Sequence, residues 1–193
     1  MAGTTTNGFP YPESTDFVTD GAQAIEDLAV AVDSKTGFYF IKQQTIGTGV
    51  STATITDVFS SAFEMYRVLL RTTTSSTAGD RIRYRCTSST GATHACNIIY
   101  MATVNTTLNG ANTSGITGYF QAGLAGGYTF SVIDIMNPES ENAVRTTAQT
   151  TSGIYSSTAW SNDSATIAST GLEFSVSAGT MSGGFINVYG YRD

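Results

Sequence analysis

The sequence predicts a mostly β protein: an antiparallel, jelly-roll-like β-sandwich preceded by an extended N-terminal segment and one short helix. Three observations predict it. Charged residues make up only 12% of the 193 positions, while 32 Thr, 21 Ser and 20 Gly take their place. The usual charged share is about 25%, and β-branched Thr suits a pleated surface better than a helix. From Phe38 onward the apolar residues recur with period two, the spacing of a half-buried strand. The alternating runs are separated by clusters of Gly, Ser, Thr and Asn, as turn chemistry requires. A hydrophobic content of 40% is ample for a core, and the length suits one domain or one domain with a short appendage.

Residues 1–37 differ from the rest. Asn7-Gly8-Phe9-Pro10-Tyr11-Pro12-Glu13 holds two of the three prolines and should be extended, because proline fixes φ and drives its predecessor out of the α region. Thr19 or Asp20 is placed to cap a helix, with Glu26 and Asp27 near its positive end. Ala22, Ile25, Ala29 and Val32 fall at helical spacing with Leu28 beside them. Lys35 lies near the carboxyl end and Gly37 in the C′ position. A helix of about 15 residues is marginal alone in water, so its apolar stripe needs a partner. That partner is either its own domain or, the sharper expectation, further copies of the chain around a symmetry axis.

Residues 38–193 read as the β domain. Phe38 to Thr45 opens it, and Met65 to Arg71 is the clearest strand. Asp80 to Cys86 alternates strictly, with Ile82, Tyr84 and Cys86 on one side and Arg81, Arg83 and Arg85 on the other. Further strands are expected at Cys96–Val104, Ile116–Gln121, Tyr128–Met136 and Ala143–Thr150, then at Ile154–Trp160, Leu172–Ser177 and Phe185–Tyr191. Roughly ten short strands without intervening helices point to an antiparallel sandwich. There is no strict internal repeat.

Composition excludes several functions. A net charge of −6 and a pI near 4.6 argue against a nucleic-acid binder, which normally shows a basic face. No apolar run approaches the ~18 residues of a membrane span, so no membrane insertion is expected. Met1-Ala2-Gly3-Thr4-Thr5-Thr6 shows no secretory signal, which implies folding in a cytosol. Two cysteines are too few for a disulfide scaffold. A Cys86–Cys96 bridge across a hairpin mouth is sterically open, but free thiols at small core positions or strand ends are the expectation.

Catalytic signals are weak. The sole histidine, His94, stands in a segment that reads as a hairpin loop, and no Gly-x-Ser-x-Gly motif flanks any serine. Cys86, His94 and Cys96 match no common zinc spacing and lack a fourth ligand, so no metal and no cofactor is expected. A glycosidase needs two carboxylates at a set separation. The candidates are Asp134, Glu139, Glu141, Asp163 and Glu173, for which solvated surface charge is the default.

Binding is better supported. Aromatic faces lie against sugars while amides and hydroxyls supply hydrogen bonds. Tyr155 and Trp160, the only tryptophan, stand near Asn162 and Asp163. Tyr119 and Tyr128 flank a glycine-rich turn. For each aromatic the alternative is core packing. Arg67, Arg71, Arg81, Arg83 and Arg85, five of the seven arginines, are expected on two neighbouring strands pointing one way. There they would form a solvated face beside Glu64 and Asp80, an inter-subunit contact, or a site for an anionic glycan.

Thr45-Ile46-Gly47-Thr48-Gly49-Val50, then Val58 to Val68, resembles the start of a β-sandwich module of tailed-phage virion proteins. The run from Val176 to Arg192, a small-residue turn leading into a strand that ends Tyr189-Gly190-Tyr191-Arg192, resembles its end. Gly8 to Glu13, Gly21 to Ile25 and Leu28-Ala29 resemble the leader of phage tail and fibre proteins. The resemblance implies a homotrimer aligned by Ala22, Ile25, Leu28, Ala29 and Val32. Residues 1–37 would join it to tail, baseplate or capsid proteins of a virion assembled in the host cytoplasm. The head would bind host cell-surface polysaccharide, and the resemblance implies no catalytic residues. The rival expectation is a non-adhesive capsid fibre, decoration or baseplate protein; a glycan-cleaving enzyme is the third.

Overall fold

The computed structural model describes residues 3–4, 10–11, 21–35, 37–75, 81–87, 93–102, 108–117, 120–124, 127–138, 145–152, 155–163 and 169–191. The chain divides into two compact units, Met1–Tyr39 with Arg192–Asp193, and Phe40–Tyr191.

In the smaller unit β1 (Gly3–Thr4) pairs antiparallel with β2 (Pro10–Tyr11). A two-stranded ribbon has only edge strands, where proline is tolerated. The helix α1 (Gly21–Lys35) packs against β2. Among its described side chains Ala24 is the buried one and Ala31, two turns on, is half-buried. The expected stripe of Ala22, Ile25, Leu28, Ala29 and Val32 is exposed along its length, Ile25 by 69%. The first turn carries no acidic residue. Glu26 and Asp27 sit one turn further in than expected, and Asp27 Oδ1 accepts from Gln23 Nε2 at 2.9 Å. Thr19 and Asp20 lie outside the described residues.

The larger unit is a mostly antiparallel sandwich of unequal sheets. The first has eight strands in the spatial order β3 (Tyr39–Thr45), β14 (Met181–Tyr191), β5 (Met65–Ser75), β10 (Thr129–Met136), β11 (Arg145–Ser152), β12 (Tyr155–Asp163), β7 (Thr93–Ala102) and β8 (Asn109–Thr117). The second has four: β4 (Thr52–Ile55), β13 (Leu172–Val176), β6 (Arg81–Cys86) and β9 (Phe120–Leu124). Strict alternation aims one side of each strand inward. Tyr66, Val68 and Leu70 of β5, Ile133 and Ile135 of β10, and Ile186 and Val188 of β14 join Ile82, Tyr84, Leu172 and Phe174 of the smaller sheet in one core.

The interior changes character toward β11 and β12. Thr146, Ala148, Thr150 and Ser152 on one strand, and Ser157, Ala159 and Ser161 on the other, are all buried. These small side chains admit β9, which packs against both strands. Buried hydroxyls need partners, and two of the bonds they make bridge the sheets. Thr150 Oγ1 donates to the Ala122 carbonyl at 2.8 Å and lies 2.8 Å from Ser131 Oγ, while Tyr84 Oη donates to Thr146 Oγ1. Part of the Thr and Ser content therefore serves inside the protein.

Local differences from the sequence reading have physical reasons. Thr52–Ile55 is too short and too polar to announce itself as an edge strand. Asn109–Thr117, an Asn-, Gly- and Thr-rich run that reads as a turn, forms β8 because it needs to pair only with β7 at the sheet edge. The expected strand Ile116–Gln121 is split between β8 and β9, which belong to different sheets. His94 lies in β7, paired with Ile116 at an irregularity, and not in a loop. Cys86 is buried on β6, in the opposite sheet from the strand that carries Cys96, so the two do not stand at one hairpin mouth.

Candidate functional site

The outer face of the eight-stranded sheet gathers most of the chemistry. Trp160 points outward from β12, the third strand from one edge of the sheet, and is 44% exposed. Its cross-strand neighbours are Thr147 on β11 and Asn97 on β7. With Met136 and Arg145 these residues line an open groove of about 340 Å³. Arg145 has no ion-pair or hydrogen-bond partner among the described residues. An indole face, a guanidinium, a primary amide and a hydroxyl thus converge on one concave surface.

A second groove, of about 320 Å³, lies at the other end of the same face. Arg71, Tyr128, Phe130 and Thr151 line it. Phe130 stands directly between Arg71 on β5 and Thr151 on β11. Tyr128, just before β10, is 63% exposed. The Arg71 guanidinium lies 6.0 Å from the Phe185 ring centroid, within range of a cation–π contact.

Between the grooves Arg67 and Asp134 form a two-point ion pair at 2.7 and 2.9 Å. The hydrogen bond to Asp134 holds the Arg67 guanidinium above its ordinary pKa, with partial burial opposing.

The structure corrects the grouping of the arginines. Arg67 and Arg71 lie on the eight-stranded sheet, whereas Arg81, Arg83 and Arg85 lie on the outward side of the four-stranded one. The five do not share a face, because β5 and β6 pair with other strands and not with each other. Among the described residues Arg67 takes Asp134 and not Glu64, and Arg85 Nη2 lies 2.8 Å from Glu173 Oε1; Asp80, the other expected partner, lies outside the described residues. Arg83 Nε is buried without a hydrogen-bond partner among the described residues.

The predicted aromatic patch is also divided. Tyr155 and Trp160 are five residues apart on one strand, so alternation sends them to opposite faces. Tyr155 packs edge-on against Tyr100 with centroids 6.4 Å apart, while Trp160 faces outward. Asn162 and Asp163 pair in register with Arg145 and His94; their side chains lie outside the described residues, as does Tyr119. Sequence reasoning missed Asn97, Met136, Arg145 and Thr147, whose approach to Trp160 depends on a strand register that no local pattern reveals.

Two of the carboxylates considered for hydrolysis are committed elsewhere. Asp134 is held by Arg67 on one sheet and Glu173 by Arg85 on the other, on opposite sides of the sandwich. Glu139 and Glu141 lie outside the described residues. Among the described residues no group of metal-ligating side chains converges, and no helix is long and apolar enough to cross a membrane.

No protein-family model matches the chain, and no curated protein matches it. A solved structure of infectious bursal disease virus, Gx strain, shows 14% identity over 80% of this chain and 39% of that one, with a TM-score of 0.15. The chain thus spans less than two-fifths of that protein.

Proposed function

We propose that the protein is a fibre-like adhesin of a phage particle, attached through residues 1–37 and binding host-surface glycan on the outer face of its eight-stranded sheet. The observation that carries this reading is the groove in which Trp160, Arg145, Asn97 and Thr147 converge. A half-exposed indole offers an apolar plane to a sugar ring, and the polar groups around it can select hydroxyl orientation. The exposed stripe of α1 supports self-association as a trimer, which would turn weak single sites into avidity. The resemblance of both termini to phage fibre modules supports the virion setting.

A glycan microarray probed with the full chain and with Trp160→Ala tests the reading. Selective binding by the parent chain that the variant loses is the expected result. Equal binding by both, or none by either, would overturn it.

One observation favours the structural alternative. Ile99 and Met101 on β7, opposite Thr158 and Ser156 further along β12 from Trp160, are exposed and extend the apolar character of the face, as an inter-subunit or inter-protein contact would. Hydroxyl-radical footprinting of the assembled particle separates the two. Protection of Trp160, Ile99 and Met101 would mark a structural contact, and their oxidation would mark a free face.

A further inference from the structure

Resting on the glycan-binding reading, we infer that the two grooves hold a single acidic glycan chain laid across the outer face, with a sugar carboxylate at Arg145 and another at Arg71. Each groove pairs an exposed aromatic with an arginine: Trp160 with Arg145, and Phe130 and Tyr128 with Arg71. Neither arginine has a carboxylate partner among the described residues, in contrast to Arg67 and Arg85. The one described carboxylate on this side of β5, β10 and β11 is Asp134, already neutralised by Arg67. Among its described residues the face therefore carries two arginines without a carboxylate partner, on a chain whose net charge is −6. Guanidinium groups match carboxylates in two-point geometry, so the charge complements an acidic sugar better than a neutral one.

The spacing argues for one ligand over two. Phe130 stands opposite Thr151, and Trp160 opposite Thr147, on the shared strand β11. Four residues along the strand and two strands across place the aromatics roughly 16 Å apart. Pyranose units advance roughly 5 Å each on bond-length grounds, so about four units reach from one groove to the other. Val132 and Gln149 lie between the grooves, and no described charged side chain other than the neutralised pair stands in the path.

Isothermal titration of the full chain with oligogalacturonates of about two and about six units, and with a neutral cello-oligosaccharide of about six, tests this. The long acidic chain should bind tighter than the short one by at least roughly tenfold, because the second contact is intramolecular. Arg145→Gln and Arg71→Gln, each with an unchanged thermal midpoint, should reduce the long chain to the affinity of the short one. Added salt should weaken acidic but not neutral ligands, a readout on the parent chain that needs no variant. Equal affinity for the neutral and acidic six-unit chains, lost in Trp160→Ala, would overturn the acidic inference while leaving glycan binding intact. Acidic binding without length dependence would overturn the two-groove span. No binding of any of these chains would overturn the inference, and a blank microarray would remove the glycan reading beneath it.

Discussion

Arg67 and Asp134 stand directly opposite one another on β5 and β10 and close a two-point ion pair, Nε to Oδ1 at 2.7 Å and Nη2 to Oδ2 at 2.9 Å. The pair is part-exposed, so its worth is modest. Arg67→Gln should lower unfolding free energy by about 0.5–1 kcal/mol in urea melts. A raised folded-state pKa adds stability that is fully present below the unfolded value and lost only as pH rises through the folded one. Both values lie far above neutrality for Arg67, so its protonation contributes a constant amount between about pH 6 and 9. A cost that changed with pH across that window would point to another titrating group.

Tyr66 is wholly buried, and its hydroxyl both donates to the Ser60 carbonyl and accepts from the Ser60 amide, each at 2.7 Å. It fastens the segment carrying Phe59, whose ring meets Tyr66 edge-on at 4.7 Å. Tyr66→Phe keeps the packing but strands the Ser60 amide, while the Ser60 carbonyl keeps the Phe63 amide as donor at 3.2 Å, and should cost about 1–2 kcal/mol. Hydrogen exchange at the Ser60 amide should quicken along with it. A variant as stable as the parent would mean that water satisfies the Ser60 amide without penalty.

Much of this fold was legible because its strands alternate cleanly. Arg81–Cys86 and Thr129–Met136 announce both their strand character and their inward faces, Ile82 and Tyr84 on one, Ile133 and Ile135 on the other. The sheet to which a strand belongs is not local information. Alternation cannot tell that β5 and β6, consecutive in the chain, enter different sheets, and so the five arginines looked like one face. Thr146, Thr150 and Ser161 misled differently: as hydroxyls they read as surface, yet they line the interior beneath β9. Trp160 was found by residue type, but Arg145 and Asn97 reach it only through cross-strand register.

Gly184 has φ of +97°, and a Cβ there would lie 2.0 Å from the Arg71 carbonyl oxygen. Both strain and collision oppose any side chain. Gly184→Ala should destabilise by about 2–4 kcal/mol. Gly49 offers the control, since it shares a positive φ, +65°, but has open space around it; Gly49→Ala should cost about 1 kcal/mol. Similar costs at both sites would show that backbone conformation alone, and not the close approach of β14 to β5, decides.

The exposed stripe of α1 predicts how the chain associates. Ile25→Asp with Val32→Asp places charge on the stripe without touching Ala24, the residue buried on this helix. If self-association runs through this stripe, sedimentation equilibrium should show the parent as a trimer and the double variant as a smaller species, with the head's thermal midpoint retained. An unchanged mass would remove the stripe from the interface.

Trp160 is the only tryptophan, so fluorescence reads one place on the outer face. At 44% exposure its emission should be red-shifted and readily quenched by acrylamide in the free chain. An acidic oligosaccharide seated in the groove covers the indole and should cut the quenching constant severalfold, with the same concentration dependence as the calorimetric signal. If copies of the chain instead met through this face, quenching would already be slow at high protein concentration and would rise on dilution, with no ligand present. The two behaviours exclude each other at a given concentration, because an indole buried between subunits has no surface left to offer a sugar. Dilution alone therefore decides whether the groove is a free site or part of an interface.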